Sequence, residues 1–225
     1  MNKGKSQLGQ FIKYYSKIFD LKKTALLKLS SFESLDEKQI PFTKVLNELD
    51  NKNKEEFDLV FADLPFGMNR ESFLYDEKRK VGKNWNLLTT ALGKINENGT
   101  LFAVIEPAVY FSKTGKYFLD VLETKSCYCN LFLNAPKNIY QPQTAFKPII
   151  IGFQNNKTEK LFIAEISNDN SKLVANNFKK KLNENIENGK WVDRESFLTF
   201  QKAKIENEIN GLQTQYKDYR HYQLS

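Results

Sequence analysis

Short apolar runs that recur between segments of helical period constrain this chain more than any other feature. Ala25 to Leu29, Phe57 to Ala62, Leu101 to Ile105, Tyr128 to Leu133 and Pro148 to Phe153 each have the length of a buried strand. Leu8, Phe11, Ile12, Tyr15, Ile18 and Phe19 repeat at i, i+3, i+4, i+7, as do Trp85, Leu88, Leu92 and Ile95. The alternation predicts an α/β fold built on a parallel, doubly wound sheet, with its last strands turning antiparallel at one edge. Residues 42 to 56 read as a polar helix and connector, Asn98 and Gly99 as a helix stop, and Tyr117 to Leu122 as helix. Past Asn155 the character changes. Leu161 to Ile166 reads as another strand, Lys172 to Leu182 as a basic helix and Asn183 to Gly189 as a polar linker. From Arg194 to Tyr219 the stripe Phe197, Phe200, Ile205, Ile209, Leu212, Tyr216, Tyr219 predicts a long amphipathic helix that docks on the domain or on a partner.

At 225 residues the chain is long enough to bury a full core. Its 34 Lys and Arg exceed its 27 Asp and Glu, for a net charge of +7, which suits a polyanionic partner such as DNA or RNA and equally suits a solvated Lys-rich surface. Cys127 and Cys129 stand close together on a predicted strand and are not expected to pair with each other. No Cys/His cluster completes a metal set, so no metal is expected. No apolar run approaches the roughly 20 residues of a membrane span, and the Lys-rich start lacks the apolar core of a secretory signal; a cytoplasmic protein is expected.

The chemistry concentrates where the run FDLVFADLPFGM ends. In an open α/β sheet, ligands bind outside the carboxyl ends of the strands, and Asp63 stands at such an end. Leu64 precedes a proline and is pushed toward extended backbone, while Pro65 has a fixed φ and no N–H. The Leu64 carbonyl is thereby fixed beside the Asp63 carboxylate. Two fixed acceptors suit an amino group with two N–H donors. Holding both hydrogens of a nucleobase amine turns its lone pair out of the ring plane toward an electrophile. A charge-assisted hydrogen bond contributes roughly 1.5–3 kcal/mol, and Phe66 adds a stacking face worth roughly 1–3 kcal/mol per base. A strand followed by Asp-X-Pro-aromatic also occurs in many folds merely as a turn, and the pentapeptide alone does not separate the two.

FDLVFADLPFG resembles the fourth motif of amino-methyltransferases that use S-adenosylmethionine, which is usually Asn or Asp, Pro, Pro, then Tyr, Phe or Trp. The segment from Trp85 to Phe153 is similar, element by element, to the modification subunits of type I restriction-modification systems and related adenine-N6 DNA methyltransferases. In them a phenylalanine-proline-threonine-lysine segment precedes an apolar strand; here Tyr140, Pro142, Thr144 and Lys147 stand in those places. ALLKLSSFESL looks like the third motif, beside the cofactor's adenine. The resemblance covers about residues 25 to 155. It implies a Rossmann-like S-adenosylmethionine-dependent methyltransferase fold with a C-terminal helical appendage. The corresponding division is 1–155 as a partial catalytic domain, 156–190 as a strand and basic-helix extension, and 191–225 as the long helix.

Carried over, the resemblance gives Asp63 and the Leu64 carbonyl the target amine, Pro65 the turn and Phe66 the stacking on a flipped base. Ser31, Phe32 and Asp63 would border the cofactor; Tyr140, Thr144 and Lys147 would lie near the base or the DNA backbone; Glu106 and Pro107 would shape the pocket. Three features depart from the family. Leu64 replaces the first Pro, and Ser31 stands where Asp is usual. The ten glycines include no Gly-X-Gly pair, and about 24 residues precede the third-motif strand, which implies a sheet whose first strands are missing and half a cofactor site. The expected function is methyl transfer from S-adenosylmethionine to a flipped DNA adenine, by the catalytic fragment of a restriction-modification enzyme that is inactive alone. Its expected partners are DNA and a second polypeptide that supplies the glycine turn, or a specificity subunit. The alternatives are an RNA guanine-N2 methyltransferase and a non-catalytic remnant that binds DNA or a partner.

Overall fold

In a computed structural model, residues 3–30, 34–35, 40, 42–48, 55–66, 70–136, 139–140, 147–167 and 169–216 are described. The first helix, α1 (Lys3–Ile18), buries Leu8, Phe11, Ile12 and Tyr15, the stripe its spacing predicts. β1 (Thr24–Lys28) and β3 (Phe57–Asp63) follow as parallel neighbours, with Leu26 opposite Phe61 and Lys28 opposite Asp63. Between them in sequence, and on the outer side of β1, lies β2 (Lys44–Leu46), where polar helix and connector were expected. Thr43 makes the strand: its N–H and its hydroxyl both donate to the Thr24 carbonyl, at 2.9 and 2.7 Å.

A small antiparallel hairpin, β4 (Arg70–Phe73) and β5 (Asp76–Gly82), comes next and leads into α2 (Lys83–Leu92). β6 (Ile95–Ile105) starts earlier than its apolar run because a bulge absorbs Asn96 to Asn98, with Asn96 donating to Asp58 Oδ1 at 2.7 Å. Gly99 is therefore not a helix stop. It sits where a Cβ would lie 2.9 Å from the Phe57 carbonyl oxygen. α3 (Pro107–Phe111) and α4 (Lys113–Thr124) return the chain to β7 (Tyr128–Asn134). β8 (Ile149–Gln154) is antiparallel to both β6 and β7, while β9 (Leu161–Glu165) runs parallel to β7. α5 (Ser171–Lys180) and the edge strand β10 (Lys190–Val192) complete an eight-stranded sheet in the order β10-β9-β7-β8-β6-β3-β1-β2.

The sheet is buried on both faces, which explains strands that read as continuous apolar runs. One face packs Trp85, Leu88, Phe118 and Leu122 of α2 and α4. The other packs Leu8, Phe11, Tyr15, Val174 and Phe178 of α1 and α5. The last helix, α6 (Phe200–Gln215), starts later than its stripe suggested, capped by Thr199 Oγ1 accepting from the Lys202 N–H at 3.0 Å. Only Phe200 of α6 is buried, and Ile205, Ile209, Leu212 and Tyr216 are each about half exposed. No helix among the described residues is long and apolar enough to cross a membrane.

The strand order relocates one sequence element. The chain steps outward from β1 to β2 and then crosses back to β3 on the other side of β1, so the order reverses between β1 and β3. In a doubly wound sheet of order 3-2-1-4-5, the strand beside the fourth is the first. Thr24–Lys28 thus takes the first-strand place and β2 the second, where the resemblance to a third motif had implied that the first strands were missing. A short apolar run carries no mark of its neighbours, and only pairing assigns its position.

Candidate functional site

Strand order reverses between β1 and β3, and in doubly wound sheets ligands bind outside the carboxyl ends of the strands at such a point. Asp63 ends β3 there, its backbone carbonyl accepting from the Leu29 N–H at 3.1 Å. Strand alternation carries one residue past the last ladder pair, to Leu64, and does not extend to Phe66. Leu64 is buried in the core under α2 and α4, while Phe66 packs against the core under α1. Pro65 between them is partly exposed.

Asp63 is 4% exposed, and its carboxylate accepts three hydrogen bonds among the described residues, short of the roughly four its oxygens can take. Oδ2 accepts from the Ser34 N–H at 2.6 Å and from the Ser34 hydroxyl at 2.8 Å, and Oδ1 accepts from the Tyr140 hydroxyl at 3.2 Å. Burial pushes the carboxyl up to about 6 against this stabilisation by its donors. Tyr140, from the segment before β8, is itself buried; burial and the neighbouring Asp63 hold its phenol well above the usual range. The Phe66 and Tyr140 rings meet edge to face, with centroids 5.4 Å apart and planes at 75°. A carboxylate, a phenol and an aromatic face thus converge from two distant parts of the chain.

Of the residues singled out from sequence, Asp63, Leu64, Pro65, Phe66 and Tyr140 come together here. Ser31, Phe32, Pro142 and Thr144 lie outside the described residues. Lys147 is tied to Glu165 at 3.0 Å, and that carboxylate also holds Lys204 of α6 at 3.0 Å. Pro107 opens α3 at its first position, with Glu106 as the preceding cap residue. Ser34, the closest partner of Asp63, does not stand out in the sequence: it lies within the ALLKLSSFESL stretch, but nothing local joins it to a partner 29 positions away. The buried Cys129 thiol is pushed up to about 12, which keeps it protonated and unreactive near neutral pH.

The residues present fit an adenosine-type cofactor in part. Glu48 is exposed two positions past the end of β2, where a doubly wound fold places the acidic residue that binds a ribose. The segment after β1, Leu29 to Ile40, contains no glycine.

No protein-family model matches the sequence, and no curated protein matches it. Solved structures do. A type I restriction-modification methyltransferase subunit from Streptococcus thermophilus superposes with TM-score 0.59 at 11% identity, over 93% of this chain and 57% of that one. A modification subunit of a type I restriction enzyme from Vibrio vulnificus gives 0.58 at 11%, over 91% and 61%. A protein described as a class I S-adenosylmethionine-dependent methyltransferase from Listeria monocytogenes gives 0.56 at 13%, over 78% and 69%. The chain therefore spans about six tenths of the two restriction-modification subunits. Sheet order, helix placement and these likenesses agree: the chain has the fold of S-adenosylmethionine-dependent methyltransferases.

Proposed function

We propose that this chain carries the target-base half of an amino-methyltransferase site and that its substrate is adenine in DNA. The observation that carries this is the corner itself: Asp63 at the carboxyl end of β3, beside the switch point, in contact with Tyr140 and flanked by Phe66. Above about pH 6 the Asp63 carboxylate is an acceptor for one N–H of an exocyclic amine, with the Leu64 carbonyl the acceptor for the other. The half-buried Phe66 ring offers a stacking face to a base drawn out of the duplex. Positioning supplies the largest share, up to roughly 7–11 kcal/mol for two aligned reactants. Neither Asp63 nor Tyr140 needs to accept a covalent bond.

When bound, S-adenosylmethionine supplies a methyl group already activated by its sulfonium. Glu48 would hold its ribose hydroxyls and Asp63 would border its reacting end. Without glycines after β1 the backbone cannot approach the cofactor as closely as a Gly-X-Gly turn permits, so the chain binds it weakly alone, and a partner polypeptide completes the site.

The test is transfer of a labelled methyl group from S-adenosylmethionine to adenine-containing duplex DNA, by the full chain alone and with its genomically adjacent polypeptide. Transfer to adenine N6 that disappears in Asp63→Ala, with assembly intact, supports the proposal. Methylation of guanine N2 in RNA would replace it with the alternative substrate. Full activity in Asp63→Ala would reduce the chain to a non-catalytic binding subunit.

A further inference from the structure

The hairpin that follows the Asp63 corner has no counterpart in the sequence-based expectations, and its chemistry is one-sided. Phe73 and Val81 anchor it to the core under α2 and α4, while Arg70, Lys78, Arg79 and Lys80 are exposed. Two of its carboxylates, Glu71 and Asp76, are occupied locally. Glu71 accepts from Asn86 Nδ2 at 2.8 Å, and Asp76 accepts from the Tyr117 hydroxyl and from the Lys78 N–H. Among the described residues, Arg79 is the one hairpin cation with a carboxylate within 4.0 Å, that of Asp76. No carboxylate among the described residues lies within 4.0 Å of Lys80, Lys113 or Lys116, whereas Lys23, Lys44, Lys147, Lys157 and Lys204 all have one.

Arg79 is held in place rather than free to wander. Its guanidinium lies over the Tyr117 ring, 4.0 Å from the centroid, with Nε 4.0 Å from Asp76. Arg79, Lys80 and Val81 of β5 face Lys113, Thr114 and Tyr117 of α4 across a cleft of about 330 Å³. The cleft's location matters as much as its charge. Arg70 and Gly82 pair at the open end of the hairpin a few residues past Asp63, and α4 begins just beyond the carboxyl end of β6, which is parallel to β3. The cations of the cleft therefore stand on the same edge of the sheet as the candidate base-holding corner.

We propose that the cleft between β5 and α4 seats backbone phosphates of the DNA strand whose base enters the Asp63 corner, with Lys80 and Lys113 as the contacts and Arg79 as their fixed neighbour. This assignment rests on the proposed function for its choice of DNA over another polyanion. A stacked guanidinium loses little freedom on meeting a phosphate, and lysines without carboxylate partners release none on binding. Each phosphate contact adds about 0.9 to the slope of log affinity against log salt.

The test is fluorescence anisotropy of a short labelled duplex DNA with the full chain, titrated at several salt concentrations, for the parent, for Lys80→Gln/Lys113→Gln and for a control, Lys22→Gln/Lys157→Gln. The cleft variant is expected to bind about tenfold more weakly with a salt slope smaller by about 2, and to melt like the parent because both side chains are exposed. The control variant is expected to match the parent. Equal losses in both variants, an unchanged cleft variant, or no binding by the parent would overturn the assignment, and tighter binding of duplex RNA would overturn the choice of DNA. The two proposals fail separately. If Asp63→Ala abolishes methyl transfer while the cleft variant binds normally, only the cleft assignment falls; if the cleft variant loses DNA but Asp63→Ala methylates normally, only the catalytic one does.

Discussion

Replacing Asp63 by Asn tests whether the buried carboxylate is held at a cost to folding. In the folded chain burial raises this carboxyl to about 6 from the usual 3.8. A carboxyl whose folded value is raised contributes stability that is complete below about pH 4 and is lost as pH rises through about 6, because the native state is then the more reluctant to ionise. The gap, at about 1.4 kcal/mol per pH unit, is about 3 kcal/mol above both values. Asn is neutral, has nearly the same shape and keeps an oxygen acceptor for Ser34, while its amide can donate to the Tyr140 oxygen. Asp63→Asn is therefore expected to be about 3 kcal/mol more stable than the parent near about pH 8. For a chain of this size that is a melting gain of about 6–12 °C. Thermal and urea melts between about pH 4 and 8 measure it, and the two curves should converge at the acid end. A difference independent of pH, or an Asn variant that melts below the parent at about pH 8, would refute the account of the site. A gain in stability with a loss of methyl transfer would mark Asp63 as strained for its function rather than for the fold.

Four further outcomes follow from the geometry. Tyr140→Phe removes the 3.2 Å hydrogen bond that favours the Asp63 carboxylate, so that carboxyl should rise further, the loss of stability with rising pH should extend to higher pH, and stability near about pH 8 should fall by about 1 kcal/mol in urea melts. Gly99→Ala places a Cβ 2.9 Å from the Phe57 carbonyl oxygen and should destabilise by about 1–3 kcal/mol in the same assay. Arg194 donates to the Cys129 carbonyl at 2.6 Å, to Asn130 Oδ1 at 2.6 Å and to the Thr158 carbonyl; Arg194→Ala should cost roughly 3 kcal/mol, and Arg194→Lys should not rescue it because an ammonium lacks the planar fork. Gly189→Ala meets both a φ of +128° and the Phe162 ring, and should abolish a cooperative melt at physiological temperature.

Legibility in the sequence followed how local each signal was. The stripe of α1 is periodic and the runs of β3, β7, β8 and β9 are near-continuously apolar within their own windows, and each forms the element that its window predicts. β2 was hidden because three partly exposed residues, Lys44 to Leu46, have no apolar period, and the strand exists through what Thr43 does at Thr24. The hairpin was hidden for a related reason. Only Phe73 among the residues of β4 is buried, and the turn at Leu74 and Tyr75 has none of the Asn-Gly chemistry that announces a hairpin. At the candidate site, Asp63 and Phe66 stand out together in one pentapeptide, and Tyr140 enters through the resemblance of its segment to a family motif. Ser34 was not legible, since its role depends on the reversal of strand order that brings its segment over β3, a fact of pairing that no local window contains.

Glu165 at the end of β9 serves two masters. Lys147 reaches it from the segment that leads into β8, and Lys204 reaches it from α6, which presents Leu212 at 55% exposure and the rest of its apolar row to the outside. A carboxylate shared by two cations makes their positions mutually dependent: when Lys204 withdraws, Glu165 is left to Lys147 alone, and when Lys147 withdraws, α6 gains the whole charge. Whatever settles on the outer row of α6 and shifts Lys204 changes the hold on Lys147 by the same free energy with which a ligand near Lys147 changes the hold on α6.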